Sequence, residues 1–171
     1  KVVAVEPRIH FSGVPVMSVV IENDFNDTVC PDIHPVEKPN EITAEELIEV
    51  VKNAGIVGMG GIGNTHGDAY VKDELDQLCA VCDLNREKAD KAAEKYGVPA
   101  FYSLKEMLAA MPELDIVDVT TSGYENGSWH YEPAMEAIAA GKNVLCEKPL
   151  SNDVIEAREM VRFAAEKDVY L

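Results

Sequence analysis

The residues best suited to chemistry in this 171-residue chain lie in two short segments. One is a glycine loop, Gly58-Met59-Gly60-Gly61-Ile62-Gly63, which opens directly out of an apolar run. The other is Glu147-Lys148-Pro149, which follows a second apolar run, Asn143-Val144-Leu145-Cys146. Glycines at 58, 60 and 63 suit the phosphate turn of a dinucleotide site. The first permits a tight turn, the second leaves room for a pyrophosphate, and the third lets a helix pack closely on a sheet. The helix that follows presents free N–H groups to phosphate oxygens, with Gly61, Ile62 and Gly63 among the candidate cofactor contacts. Such a site also needs an acidic residue about 20 positions further on to bind ribose hydroxyls. Asp83, at the end of Gln77–Cys82, has that spacing. A dinucleotide cradle and a lysine at the end of another strand are what an enzyme that moves hydride requires. The tripeptide alone says little, because it recurs at Glu37-Lys38-Pro39 with no strand before it.

These residues are placed by an alternation of strands and helices from Ala54 onward. Ala54–Val57 reads as a strand and Ile62–Val71 as the helix after the glycines. Gln77–Cys82 is a second strand. Asn85 caps a helix over Arg86–Tyr96, and Gly97 ends it. Ala100–Tyr102 is a third strand, followed by a helix from Ser103 through Ala110. A fourth strand covers Asp115–Thr120, and a helix over Glu132–Ala140 stops at Gly141. Asn143–Cys146 is the fifth strand. Ser151 is expected to cap a long helix to Lys167, and Val169-Tyr170-Leu171 to begin a sixth strand. Such alternation predicts an α/β fold, a doubly wound parallel sheet covered on both faces.

Residues 1–53 read differently, as an extension preceding a dinucleotide-binding domain over 54–171. Val2–Val5 and Val14–Ile21 are strand-like and could pair as a hairpin. Residues 24–40 read as a loop, and Thr43-Ala44-Glu45-Glu46 as a capping box for a helix reaching Lys52. This segment either packs on the domain edge or reaches a neighbouring subunit.

Hydrophobic residues make up 47% of the chain, which marks a folded globular protein. A formal net charge of −16 argues against nucleic-acid or anionic-membrane partners. It leaves room for an anionic cofactor, because N–H groups at a helix start act locally. No apolar stretch reaches the length of a membrane span and no signal peptide is apparent, so a cytoplasmic location is expected. Cys79 and Cys82 share the spacing of redox and zinc motifs. On a strand, however, residues three apart point to opposite faces, so both are expected to be small apolar strand residues, with no disulfide framework and no structural metal.

With the glycine loop, Asp83 and Glu147-Lys148-Pro149 in place, the chain resembles the nucleotide-binding half of the Gfo/Idh/MocA oxidoreductases. The resemblance runs from Ala54 to Leu171. It is carried by Ile56–Gly63, by Asp118-Val119-Thr120-Thr121, by His130 before a helix, and above all by Ala140–Leu150. It implies NAD as cofactor, with NADP as the alternative, and a sugar, cyclitol or related polyol as substrate. Thr120 and Thr121 are then expected beside the cofactor with the glycines, Asp83, Glu147 and Lys148. The resemblance also puts Lys148 beside the reacting carbon. Oxidising an alcohol sends a hydride to the nicotinamide and a proton to a base. A lysine beside the cationic ring suits that base, with Glu147 orienting its segment and a cis Lys148–Pro149 bond setting its direction. Asp83 favours NAD by repelling a 2′-phosphate, whereas Arg86 would admit NADP by swinging towards the ribose.

Two departures stand out. The segment after the fourth strand, 121–130, is longer than usual in the family and lacks its proline. Tyr124, Trp129 and His130 are therefore candidate substrate or cofactor contacts, against a plain packing role. Family members also continue into a second α+β substrate domain that forms much of a homo-oligomer interface, and this chain does not contain one. It reads either as a piece of a longer enzyme or as a subunit served by another chain. His66, His10 and His34 are expected to be structural. A non-catalytic dinucleotide-binding sensor or regulatory module is the alternative to the oxidoreductase. A third reading keeps the cofactor half with a different substrate, in the manner of biliverdin reductase or dihydrodiol dehydrogenase.

Overall fold

The structure is a computed structural model that describes residues 2–9, 15–21, 51–122 and 129–171. The chain divides into two compact units, Lys1–Glu41 and Ile42–Leu171. In the first, β1 (Val2–Ile9) pairs antiparallel with β2 (Pro15–Ile21), matching Ile9 to Pro15 and Val2 to Ile21. This is the hairpin expected from the two strand-like runs, with the first strand continuing to Ile9 where it was expected to end at Val5. The expected capping box at 43–46, Cys30, His10, His34 and the second Glu-Lys-Pro lie outside the described residues.

The second unit is a five-stranded parallel sheet in the order β5-β4-β3-β6-β7. Its elements are β3 (Asn53–Val57), α1 (Gly61–Tyr70), β4 (Gln77–Cys82), α2 (Arg86–Tyr96), β5 (Ala100–Phe101), α3 (Leu104–Ala110), β6 (Ile116–Val119), α4 (Tyr131–Ala139), β7 (Asn143–Cys146) and α5 (Val154–Lys167). The winding reverses direction between β3 and β6, and doubly wound sheets open a crevice at such a switch point. Ile56, Leu78 and Val81 pack under α1 and α2 with Ala92, Tyr70 and Tyr96. Val117, Val119 and Val144 form the opposite face with Met107, Ile138 and Met160. The fold is the predicted Rossmann-like α/β sheet. Among the described residues no helix is long and apolar enough to cross a membrane.

Local chemistry accounts for several element ends. The Asn85 side chain accepts the Lys88 N–H at the start of α2, and Gly97 ends that helix in the left-handed conformation at φ 70°. Ser103 accepts the Glu106 N–H in the same way before α3.

Three expectations are corrected. The cap of α5 is Asp153, whose carboxylate accepts the Ile155 N–H at 2.7 Å. Ser151 instead takes the Asp153 N–H and donates to Glu156, so the helix begins two residues later than expected. Residues 169–171 form no assigned strand, although the Tyr170 carbonyl accepts the Val144 N–H at 2.8 Å.

The opposite-face argument for the cysteine pair also fails. The register shifts from Ala54↔Leu78 to Gly55↔Ala80, which makes Cys79 an extra residue in the ladder. A bulge breaks strict alternation, and Cys79 and Cys82 both pack against the same core cluster. Cys79, Cys82 and Cys146 are free thiols.

Candidate functional site

The glycine loop joins β3 to α1 at the carboxyl end of the sheet. Gly58 adopts φ 101°, and a Cβ there would sit 2.7 Å from the Thr121 nitrogen, so both backbone conformation and space require glycine. Its N–H donates to the Cys82 carbonyl at 2.8 Å, which locks the turn to β4. A Cβ at Gly63 would fall 2.1 Å from the Gly58 carbonyl oxygen, so α1 packs directly on the loop. Gly60 and Gly61 are different, because nothing lies within 4 Å of a Cβ at either position.

The start of α1 has no side-chain cap. Its first helical bond runs from the Asn64 N–H to the Gly60 carbonyl, leaving the N–H groups of Gly61, Ile62 and Gly63 ahead of it without intrahelical acceptors. An uncapped helix start facing open space at two glycines is a cradle for an anion. Asp83 stands beside it. One carboxylate oxygen accepts the Met59 N–H and the other accepts the Asn85 N–H, both at 2.8 Å. A dinucleotide therefore fits the residues present: open glycines and N–H groups for the pyrophosphate, and a fixed carboxylate for a ribose. Arg86 lies with its guanidinium 4.0 Å from the centre of the Tyr102 ring.

Thr120 is buried, and its hydroxyl donates to the Gly58 carbonyl at 2.7 Å, bracing the loop. Thr121 donates to the Trp129 carbonyl at 2.6 Å, joining the two sides of the segment between β6 and α4. Tyr124 falls outside the described residues, and Trp129 is exposed.

The lysine segment follows β7. Glu147 donates its N–H to the Val119 carbonyl, so the ladder with β6 carries on to the site. One Glu147 carboxylate oxygen accepts the Lys148 N–H at 3.0 Å, and the Lys148 amine is 4.0 Å away with its side chain 89% exposed. The Lys148–Pro149 peptide is cis. The Pro149 carbonyl lies 2.8 Å from His130 Nδ1, and His130 is only 3% exposed. That position gives His130 a bracing role under the lysine segment, while Lys148 is left open to a ligand.

Two residues that the sequence reading named without a site role, Asp118 and His66, meet here. Asp118, on central β6, is completely buried, and His66 Nδ1 meets one of its oxygens at 2.8 Å. His66 Nε2 lies 3.5 Å from Glu147. Helix α1 thus connects the glycine loop to the lysine segment through one imidazole. Burial pushes the Asp118 carboxyl up, against the pull of the His66 hydrogen bond. Its other oxygen has no hydrogen-bond partner among the described residues. Burial and the neighbouring Asp118 and Glu147 charges push the Cys146 thiol up to about 12. The available signal was an aspartate inside the apolar run Ile116–Val119, because a buried carboxylate needs a partner. Among the described residues no cluster of three His, Cys, Asp or Glu could hold a metal ion.

Residues 52–171 match the family described as an oxidoreductase family with an NAD-binding Rossmann fold. An inositol 2-dehydrogenase/D-chiro-inositol 3-dehydrogenase of Lactiplantibacillus plantarum is 35% identical over 113 residues, which is 65% of this chain and 31% of that protein. The WlbA dehydrogenase of Bordetella pertussis, solved in complex with NADH and UDP-GlcNAcA, superposes with a TM-score of 0.63 at 29% identity. That match covers 70% of this chain and 36% of the other. A shorter match, 52% identical over 61 residues, joins 36% of this chain to 14% of a component of the Na(+)-translocating ferredoxin:NAD(+) oxidoreductase complex of Acetobacterium woodii. The chain spans about a third of the length of the curated dehydrogenases it matches.

Proposed function

The chain belongs to the Gfo/Idh/MocA family of NAD-binding Rossmann-fold oxidoreductases, and from that premise we propose that it is the cofactor-binding part of a polyol dehydrogenase. The enzyme transfers hydride between a nicotinamide dinucleotide and a sugar, cyclitol or related polyol. The observation that carries this reading is the link through His66, which ties the helix of the open glycine cradle to Glu147 and hence to Lys148.

When bound, NAD supplies the hydride acceptor. The N–H groups of Gly61, Ile62 and Gly63 hold its pyrophosphate, Asp83 holds the adenosine ribose, and the braced Thr120–Thr121 backbone borders the nicotinamide half. Lys148 would take the proton from the alcohol oxygen while the carbon bearing that oxygen gives up its hydride and the carbonyl forms, and would return the proton in the reverse direction. Glu147 fixes the backbone on which that amine is carried. His66, Asp118 and His130 are positioning residues. Trp129 borders the substrate side.

We assign residues 1–53 to an extension and 54–171 to the dinucleotide-binding domain, with Asn53 already pairing in β3 at the boundary. The substrate-selecting domain and the homo-oligomer interface belong to the parts of the complete enzyme that correspond to the remaining two thirds of its relatives. Free thiols at Cys79, Cys82 and Cys146 support a reducing, cytoplasmic setting.

The test is turnover of the complete enzyme with NAD and a panel of sugars and cyclitols, together with its Lys148→Ala variant. We expect the variant to keep its NADH affinity within about two-fold and to lose about 10²–10⁴ in turnover. Preserved turnover would remove Lys148 from the mechanism. NADH binding without turnover on any polyol would favour a dinucleotide sensor instead.

A further inference from the structure

We infer that Tyr102 and Asp90 form a seat that holds Arg86 away from the ribose end of the dinucleotide site, and so make Tyr102 a determinant of NAD over NADP. The inference rests on the reading of the glycine loop and Asp83 as that site, and it concerns residues outside the loop itself.

The Asp83 carboxylate is pinned by the Met59 and Asn85 N–H groups and cannot turn aside without breaking both bonds. A ribose 2′-hydroxyl can donate to this fixed anion, whereas a 2′-phosphate is repelled by it. Accepting the phosphate requires a cation to move in, and Arg86, three residues further along, is well placed in sequence to supply one. Its guanidinium is occupied. It lies 4.0 Å from the centre of the Tyr102 ring, in cation–π contact.

The ring is itself fixed at both ends. The Asp83 N–H donates to the Phe101 carbonyl at 3.2 Å, which sets Tyr102 beside the end of β4. The Tyr102 hydroxyl donates to Asp90 at 2.8 Å, and Asp90 lies one turn along α2 from Arg86. That bond also pushes the Tyr102 hydroxyl up, which keeps it a donor. Arg86 thus lies against a π face whose hydroxyl is anchored to Asp90, one turn further along the same helix. Of the other cations on α2, Lys91 is engaged with Glu87 and Lys95 with Asp68, while Lys88, two residues from Arg86, lies on a different side of the helix.

The test is titration of the purified chain with NADH and with NADPH, following nicotinamide fluorescence. The unaltered chain is expected to bind NADH more tightly. Tyr102→Leu should shift the affinity ratio towards NADPH by about two- to five-fold, equivalent to an exposed cation–π contact of ~0.5–1 kcal/mol at 1.4 kcal/mol per factor of ten. In an Arg86→Ala background the same substitution should produce no shift, because the released cation is missing. Asp90→Ala, at an exposed helical position, should move the ratio in the same direction by a smaller factor, and it decides the matter if Tyr102→Leu does not fold.

An unchanged ratio in the Tyr102 and Asp90 variants, or an equal shift without Arg86, would overturn the inference. If the unaltered chain binds neither nucleotide, the dinucleotide site itself is refuted and the inference falls with it. If NADH binds and only the ratio fails to move, the site stands and the seat does not.

Discussion

Replacing Gly63 and Gly60 by alanine separates packing from ligand binding within one six-residue loop. A methyl carbon at Gly63 would lie 2.1 Å from the Gly58 carbonyl oxygen and 2.8 Å from the Thr120 hydroxyl oxygen. An ordinary carbon–oxygen approach is about 3.3 Å, so α1 would have to retreat by about 1.2 Å. The atom in the way is backbone, in a turn already held by the Gly58–Cys82 and Thr120–Gly58 hydrogen bonds. Overpacking of this kind costs about 1–3 kcal/mol. In a domain of this size, at about 4 °C per kcal/mol, the melting temperature should fall by about 4–12 °C.

At Gly60 the added methyl meets nothing within 4 Å, and the backbone there, at φ −81°, accepts alanine. The cost is the weaker N-cap, about 1 kcal/mol at most. The open space is where we place the pyrophosphate, so NADH affinity should drop at least about ten-fold, or about 1.4 kcal/mol. Far-UV circular dichroism melts and NADH titrations of both variants read the two effects separately. A Gly63→Ala chain that melts like the parent would refute the packing argument. A Gly60→Ala chain that folds and binds NADH normally would remove the pyrophosphate from the loop.

Three further outcomes follow from other contacts. Asp83→Ala should weaken discrimination between NADH and NADPH in a comparative titration and, by orphaning the Met59 and Asn85 N–H groups, lower stability by about 1 kcal/mol. A preserved preference would mean that Asp83 does not meet the ribose. Gly67→Ala would put a methyl 2.6 Å from the Tyr96 ring, whose hydroxyl is bonded to the Asn64 carbonyl. We expect about 1–3 kcal/mol of destabilisation in urea titrations. Burial pushes the Cys82 and Cys146 thiols up to about 12, so iodoacetamide at pH 8 should alkylate both at least about ten-fold more slowly in the native chain than in urea. Because these folded-state values are raised, the associated stability is complete below the unfolded thiol range near 9 and is lost as pH climbs towards about 12. Melts between pH 8 and 11 check that sign.

Most of the scaffold is written in short-range signals. Asn85 and Gly97 bracket α2, Ser103 opens α3, and the glycines mark the turn out of β3, because each choice depends on groups only a few residues away. At α5 the sequence reading chose Ser151 as the cap, but Ser151 is engaged with Glu156 and the Asp153 N–H, and Asp153, a residue type that caps equally well, takes the position. The bulge at Cys79 is likewise a property of the ladder with β3 and not of β4 itself, so a period-two reading sorted its residues to the wrong faces.

For the candidate site, glycine spacing singled out the loop and Asp83, while the lysine segment stood out by its place after an apolar run and by the resemblance to the family. What the sequence could not determine is how they are joined. His66 and Asp118 are 52 positions apart, and Glu147 lies on a third element, yet one imidazole reaches both carboxylates. That contact exists only because parallel crossovers bring the ends of β6 and β7 against the same face of α1, and no local rule along the chain encodes such a meeting.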